Sequence, residues 1–168
     1  LTTLNFPNNP KITYLEASNN LFTTLNLSSI PLLNYLRLAN NQITSINLAQ
    51  VPLLQTLMMN NNQLTTFDIT QNYHIQSMII SDNNLQSMFL KNGRNNIPSF
   101  NNNPNISYIC ADEGEISFIL NSLTSYGYNN VTMNTYCSFT PGGTYYTIQG
   151  NTKYDENNNG CDPNDLSK

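Results

Sequence analysis

The feature that most constrains this sequence is a short internal repeat. Asparagine recurs at a fixed interval, and so do the apolar residues that precede it. The repeated columns are Asn20, Asn41, Asn62 and Asn83; Ile12, Leu33, Leu54 and Ile75; Leu15, Leu36, Leu57 and Met78; and Ala17, Leu38, Met59 and Ile80. Such self-similarity indicates supersecondary units that bury their apolar faces against one another. We therefore expect a stack of similar coils.

Each unit contains two apolar half-units. The first reads L-x-x-L-x-L-x-x-N-x-L, as in Leu33 to Ile43. Because alternate side chains of a strand face opposite sides, Leu36 should point inward and Tyr35 outward. The asparagine follows at a corner, where an amide can donate and accept at once for buried turn groups. The second half-unit keeps the same step in Leu25-x-Leu27, Ile46-x-Leu48, Phe67-x-Ile69 and Met88-x-Leu90.

These motifs resemble leucine-rich repeats over roughly Leu1 to Glu113, and the nested halves are similar to the bacterial IRREKO class. The resemblance implies a mainly β fold, α/β by family class. The resemblance further implies a right-handed solenoid whose first half-units form a parallel sheet on the concave face, with strands or extended segments on the convex side. It also implies a multidomain protein that is secreted or at the cell surface. Residues 1–113 are the predicted repeat region.

The apolar pattern changes after Ile75, because the next matching residue, Ile106, follows at a longer step than the repeat period. We interpret the additional segment, Lys91–Phe100, as a loop on the convex side or rim. Ile109 and Ala111 then continue the first half-unit of a fifth coil. This register places Tyr108 on the concave face.

Residues 114–139 have the pattern of a C-terminal cap. Asp112-x-x-Glu115 resembles a capping box, and Gly127 is a typical helix end. Apolar residues at helical spacing lie between them: Ile116, Ile119, Leu120 and Leu123. A helix here would cover the apolar columns that a terminal coil leaves exposed, and residues 131–139 would add an edge strand. Residues 140–168 are interpreted as a linker and the start of another β-rich domain.

Three cysteines allow one bridge and leave one thiol. Cys110 would face outward on the last strand, and only the segment after the cap helix could bring Cys137 near it. We predict a Cys110–Cys137 disulfide, with three unpaired cysteines as the alternative. A persistent disulfide is typical of an oxidising, extracellular compartment.

Few residues suggest ligand chemistry in the C-terminal part. Asp155, Asn157 and Asn159 match the first half of a calcium loop, but Leu166 occupies the position of the bidentate glutamate. A solvated turn is the alternative, and no cofactor is expected. The acidic cluster around Glu113 suits a helix start better than an acid–base pair. We therefore predict no enzymatic activity.

The concave face is the predicted ligand-binding surface. Its outward residues are Tyr14, Glu16, Tyr35, Arg37, Met58, Ile79 and Tyr108. Tyrosine and arginine are frequent anchors at interfaces, although a ladder of aromatic and β-branched residues also stabilises strand pairing. Both interpretations remain open from the sequence.

Charge and hydropathy limit the partners. The net charge is −4, with no cluster of cations for nucleic acid, and no apolar run reaches about 18 residues for membrane insertion. We predict a monomer that acts as a protein-interaction or adhesion module. The alternative is a carbohydrate-binding or targeting appendage of a secreted enzyme, with a surface glycan stacking on the tyrosine row.

Overall fold

The chain alternates between two parallel sheets. The computed structural model describes residues 1–7 and 9–137, and two short strands at 153–154 and 166–167. The strands of the first part are β1 (Tyr14–Glu16), β2 (Tyr35–Arg37), β3 (Thr56–Met58), β4 (Thr66–Asp68), β5 (Ser77–Ile79), β6 (Ser87–Phe89), β7 (Tyr108–Cys110) and β8 (Thr132–Asn134). Within the same part, one α-helix, α1, spans Ile116–Tyr126. The fold is therefore mainly β.

The first sheet contains the first half-unit of each repeat. Its order is β1-β2-β3-β5, and every neighbouring pair is parallel and offset by one full repeat, so that Leu36 lies opposite both Leu15 and Leu57. A single bridge between Ile79 and Ser99 adds a fifth position. Equivalent residues of successive coils therefore lie side by side across this sheet.

The second sheet forms only in the later coils. Its order is β4-β6-β7-β8, again all parallel. Residues 25–27 are not in a strand, and the next equivalent segment ends in a 3-10 turn at Leu48–Gln50. The Asn47 side chain caps this turn by accepting from the Ala49 N–H. The predicted extended segment is therefore partly replaced by a turn.

The core lies between the two sheets. Its largest fully buried side chains come from both half-units: Phe22, Phe67, Phe100, Leu27, Ile30, Leu33, Leu36, Leu38, Ile43, Leu48, Leu54 and Leu57. Burial of one such side chain contributes about 1.5–3 kcal/mol relative to an exposed one. Stacking thus stabilises coils that are too short to fold alone.

The corner asparagines connect each coil to the one before it. Asn62 accepts from the Ile43 N–H at 3.0 Å and donates to the Leu38 carbonyl at 2.9 Å, both in the preceding coil. It also donates to Met59 of its own coil at 3.2 Å. Asn41 and Asn83 make the equivalent bonds. All three residues are buried, whereas Asn20 in the first coil is half-buried.

The predicted register of the last coil is wrong. β7 pairs with β6 in the second sheet, so Ile106, Ile109 and Ala111 form a second half-unit rather than a first. They follow Leu85, Met88 and Leu90 by one full repeat. Both half-units share the same apolar spacing, and that spacing alone does not specify the sheet.

The proposed insertion at Lys91–Phe100 is therefore the ordinary first half of the fifth coil. Ser99 bridges to the first sheet, and Phe100 is fully buried in the core. Asn103 completes the corner, where it accepts from the Leu85 N–H at 3.1 Å and donates to the Ile80 carbonyl at 3.1 Å. Asn103 follows Asn83 at one position less than the repeat period. A search for residues at the strict repeat period therefore does not find it.

The cap begins with the expected capping box of Asp112 and Glu115. Two carboxylates also hold the start of the fifth coil: Asp112 accepts from the Gly93 N–H at 2.7 Å, and Glu115 accepts from the Asn96 N–H at 2.8 Å. Burial and, to a smaller extent, the nearby Asp112 carboxylate raise the pKa of the Glu115 carboxyl, whereas the hydrogen bonds that it accepts from the Asn96 and Asp112 N–H groups act in the opposite direction. The helix ends at Gly127, whose φ of +73° is the left-handed conformation that glycine favours.

The edge of the second sheet is fixed covalently. A disulfide joins Cys110 of β7 to Cys137, which follows β8. The Lys91 ammonium donates to the Thr135 carbonyl at 2.8 Å beside it. Residues 138–152 and 155–165, including Cys161, lie outside the described structure. The remaining strands, β9 (Lys153–Tyr154) and β10 (Leu166–Ser167), pair with each other antiparallel.

Replacement of Asn62 by leucine should lower the free energy of unfolding by roughly 2–4 kcal/mol, because buried backbone groups of two coils lose their partner. The measurement is urea unfolding followed by circular dichroism. Asn84→Leu is the matched control, since Asn84 is exposed in the same array, and it should change stability little. Equal effects of the two substitutions would contradict a role for the corner amide.

Reduction of the disulfide should loosen β8 before the central coils. The bridge joins cysteines whose sequence separation is 27, and closing a loop of that length is worth about 3–4 kcal/mol. Amide hydrogen exchange with and without a reductant measures the effect segment by segment. We expect faster exchange in residues 128–137, with β2 and β3 unchanged, and uniform acceleration throughout the array would refute this view of the cap.

Candidate functional site

The candidate site is the outward surface of the first sheet, built by alternation along each strand. Leu36 and Leu57 enter the core, and their strand neighbours therefore face away from it. The structure brings six of the predicted residues onto this surface: Tyr14 and Glu16 on β1, Tyr35 and Arg37 on β2, Met58 on β3 and Ile79 on β5. We call these six residues the sheet face.

Two tyrosines form the aromatic part of the sheet face. The Tyr14 and Tyr35 rings are stacked, with centroids 4.4 Å apart and planes inclined by 10°. Parallel pairing in register places the two side chains directly beside each other. The stack covers one face of each ring, and Tyr14 on the edge strand β1 remains 59% exposed.

An ion pair flanks the tyrosines. The Arg37 guanidinium lies 3.5 Å from the Glu16 carboxylate, and both side chains are substantially exposed. Glu16 also accepts from the Ser18 N–H at 3.1 Å. Exposed pairs of this kind contribute about 0–1 kcal/mol to stability. The arrangement therefore does more to orient the two charges than to stabilise the fold.

The other half of the sheet face is uncharged. Met58 and Ile79 are half-buried, and the Tyr35 hydroxyl lies 4.0 Å from the Met58 sulfur. Methionine adapts its shape readily to a partner. The sheet face thus changes from aromatic and charged at β1 to apolar at β5.

The pKa of the Tyr14 phenol is raised above its usual value. The causes, in order of size, are desolvation by neighbouring groups and the nearby Tyr35 and Glu16, while Arg37 acts in the opposite direction. A tyrosine with an ordinary pKa of about 10 is already neutral at physiological pH, and the raised pKa keeps the Tyr14 phenol a hydrogen-bond donor to higher pH.

Tyr108 does not belong to the sheet face, contrary to the sequence prediction. It lies in the second sheet and is only 3% exposed. Its hydroxyl lies 3.0 Å from the Asn134 side-chain oxygen and 3.1 Å from the Tyr136 carbonyl, and its ring packs against Phe89. The same half-unit ambiguity that shifted the register causes this error. Tyr108 supports the cap.

A further row of polar side chains, separate from the buried corner asparagines, was not found from the sequence. The residue before each corner asparagine has a positive φ of 56–58°: Asn19, Asn40, Asn61, Asp82 and Asn102. Asn40 donates to Asn19 at 3.0 Å, and Asn61 donates to Asn40 at 2.9 Å. Asparagine and aspartate tolerate this left-handed conformation. The recurrence of the first four positions at the repeat period was visible in the sequence.

No group of three or more histidine, cysteine, aspartate or glutamate side chains suited to a metal occurs among the described residues. The weak calcium candidate, formed by Asp155, Asn157 and Asn159, lies outside them. Within the described part of the chain, no helix has the length and apolar character needed to cross a membrane.

Comparison with known proteins supports the fold. The functional domain of InlJ from Listeria monocytogenes, which includes a cysteine ladder, is structurally similar with a TM-score of 0.56 at 17% identity. The match covers 66% of this chain and 28% of that one. No family model and no curated protein sequence match this chain. The cysteines here are not spaced by the repeat period, and what the two proteins share is a leucine-rich-repeat-like fold.

Removal of either neighbouring group that raises the pKa of Tyr14, the Tyr35 hydroxyl or the Glu16 carboxylate, should lower this pKa toward the ordinary tyrosine value. Tyr35→Phe keeps the stacked ring but removes one neighbouring hydroxyl, and Glu16→Gln removes a negative charge that disfavours the phenolate. Titration of the tyrosine side-chain carbon signals by nuclear magnetic resonance measures both. Tyr73→Phe is the control, since Tyr73 is exposed in another coil. An unchanged Tyr14 pKa in both variants would show that the sheet face is not electrostatically coupled.

Proposed function

We propose that this chain is a non-catalytic protein-interaction or adhesion module of an extracellular or cell-surface protein, and that the sheet face contacts the partner. In this proposal the coils form a right-handed solenoid with the sheet face on its concave side. The observation that carries it is the stack of the exposed Tyr14 on the half-buried Tyr35 beside the Glu16–Arg37 pair. Preorganised tyrosine and arginine side chains cost little entropy when a partner binds.

The stack also favours a protein over a glycan at the sheet face. A sugar ring would pack its C–H surface on an open aromatic face. The inner faces of Tyr14 and Tyr35 cover each other at 4.4 Å, so the open aromatic surface is reduced mainly to the outer face of Tyr14 on the edge strand. The residues toward β5 are Met58 and Ile79 rather than further aromatic rings. Ring edges, an ion pair and adaptable apolar groups suit a protein surface better.

The area of the contact sets a further requirement. Four strands about 4.8 Å apart, with a few exposed residues each, present on the order of 300–400 Å², whereas a standard interface takes about 800 Å² from each partner. Leu32 and Leu53 are exposed just before β2 and β3. The proposed interface therefore extends from the sheet face onto this rim.

The disulfide supports the proposed compartment. Cys110 is fully buried and bonded to Cys137, and persistent disulfides form in oxidising compartments. Neither sulfur is available as a nucleophile in this state. The proposed secreted or surface location thus agrees with a structural use of these two cysteines.

Site-specific photocrosslinking tests the proposal. A benzoylphenylalanine is placed at Thr56 or Ser77 on the first sheet, or at Thr66 or Ser87 on the second sheet as matched controls. We expect one crosslinked partner from the first-sheet positions alone when the chain is applied to surface proteins of candidate cells. Excess chain without the photocrosslinker should abolish the crosslinked product, because both forms of the chain compete for a saturable binding surface.

The decisive competitor is a double variant that combines Tyr35→Ala with Arg37→Ala. This double variant should fail to compete, whereas a Thr66→Ala, Ser87→Ala competitor should compete fully. Equal crosslinking from the second sheet, or full competition by the Tyr35 and Arg37 variant, would overturn the proposed binding surface.

A further inference from the structure

A cleft lies where the fifth coil meets the cap, away from the sheet face. It is lined by Asn101, Asn102, Pro104, Tyr126 and Tyr128 and has a volume of about 360 Å³. Residues 101–104 form the corner turn of the coil, and the two tyrosines lie at and just after the end of α1. None of these residues belongs to the sheet face or to its rim.

The aromatic wall of the cleft packs against a residue of the core. Phe100 is fully buried, and its ring meets Tyr126 edge to face at 5.1 Å and Tyr128 at 6.3 Å with planes inclined by 27°. The Tyr128 hydroxyl accepts from the Asn103 N–H at 2.6 Å and donates to the Phe100 carbonyl at 3.4 Å. The corner that aligns the coils therefore also fixes one tyrosine of the cleft.

The polar wall consists of two adjacent amides. The Asn101 oxygen accepts from the Ser99 hydroxyl at 3.2 Å, and the Asn102 amide donates to Asp82 at 2.7 Å. An asparagine side chain offers two donors and an oxygen with two lone pairs. Each amide thus keeps hydrogen-bonding capacity after its one bond within the protein.

The residues that line the cleft indicate the chemical class of a ligand. Among the described residues that line the cleft, none carries a charge, which favours a neutral molecule. Aromatic rings on one side and amides on the other match a ligand with an apolar face and a hydroxylated edge. The volume is at the lower end of the range of about 300–1,000 Å³ typical of small-molecule sites. A ligand of one or two rings fits that size better than a folded protein surface.

We propose that this cap cleft binds a neutral pyranose unit of an oligosaccharide. The C–H face of the sugar packs on Tyr126 or Tyr128, and its hydroxyls bond to the amides of Asn101 and Asn102. The proposal is independent of protein binding at the sheet face. The module would then hold a glycan at its cap while the first sheet engages a protein.

The test is a titration of the full chain with soluble neutral oligosaccharides, followed by amide chemical shifts. The probes are cellotetraose, maltotetraose, laminaritetraose, mannotetraose and tetra-N-acetylchitotetraose. We expect at least one to bind with a dissociation constant on the order of 1 mM or tighter. The shifts should be confined to residues 99–104 and 124–130.

Two substitutions and their matched controls locate the site. Asn102→Gly removes an amide and suits the φ of +57°, with Asn40→Gly as the control at an equivalent φ of +56°. Tyr126→Leu removes an aromatic face, with Tyr73→Leu as the control at an exposed tyrosine. Each cleft variant should weaken binding about tenfold or more, and each control should bind normally. Thermal unfolding of every variant verifies that the coil stack remains folded.

Four results would overturn the proposal. The first is the absence of cleft shifts with all five sugars at about 10 mM, a concentration that detects millimolar binding. The second is binding that Asn102→Gly leaves unchanged. The third is preferential occupation of the cleft by a decaproline peptide, since tyrosine-lined grooves also accept proline-rich segments. Loss of sugar binding in Tyr35→Ala alone would place the sugar on the sheet face and overturn it as well.

Discussion

The structure depends on one side-chain amide at the corner of each coil. Asn62 bonds to a backbone N–H 19 residues earlier and to a carbonyl 24 residues earlier. The same two separations recur at Asn41 and Asn83. An aspartate could not donate, and a leucine could neither donate nor accept. Because each amide fixes the offset between neighbouring coils, the sheet register and the columns of the core follow from it.

The geometry of both candidate sites depends on this register. Tyr14 and Tyr35 stack because the offset between β1 and β2 is held at one full repeat. A shift of a single position would move their side chains to the core side of the sheet. At the other end, Asn103 closes the last corner and binds Tyr128, which connects the ladder to the cap cleft. The amide ladder thus positions both candidate sites.

Much of the fold could be predicted from the sequence, because the repeat imposes the same local geometry in each coil. The first sheet, the cap helix over Ile116–Tyr126 and its end at Gly127 agree with the expected structure. The sheet of Tyr108 was predicted wrongly because both half-units carry the same apolar spacing, although the step of one full repeat from Met88 to Ile109 marked the second half-unit. The cleft was also beyond sequence reasoning, because residues 101–104 and 126–128 share no motif. Only the three-dimensional meeting of coil and cap brings them together.

The most direct test of the corner ladder is native-state hydrogen exchange at its backbone donors. The N–H groups of Ile43, Leu64 and Leu85 each donate to an asparagine oxygen of the next coil. If these bonds fix the register, all three should exchange only through global unfolding, as slowly as the central sheet amides. Fast exchange at the corners beside protected strands would show that the sheets, rather than the asparagines, align the coils.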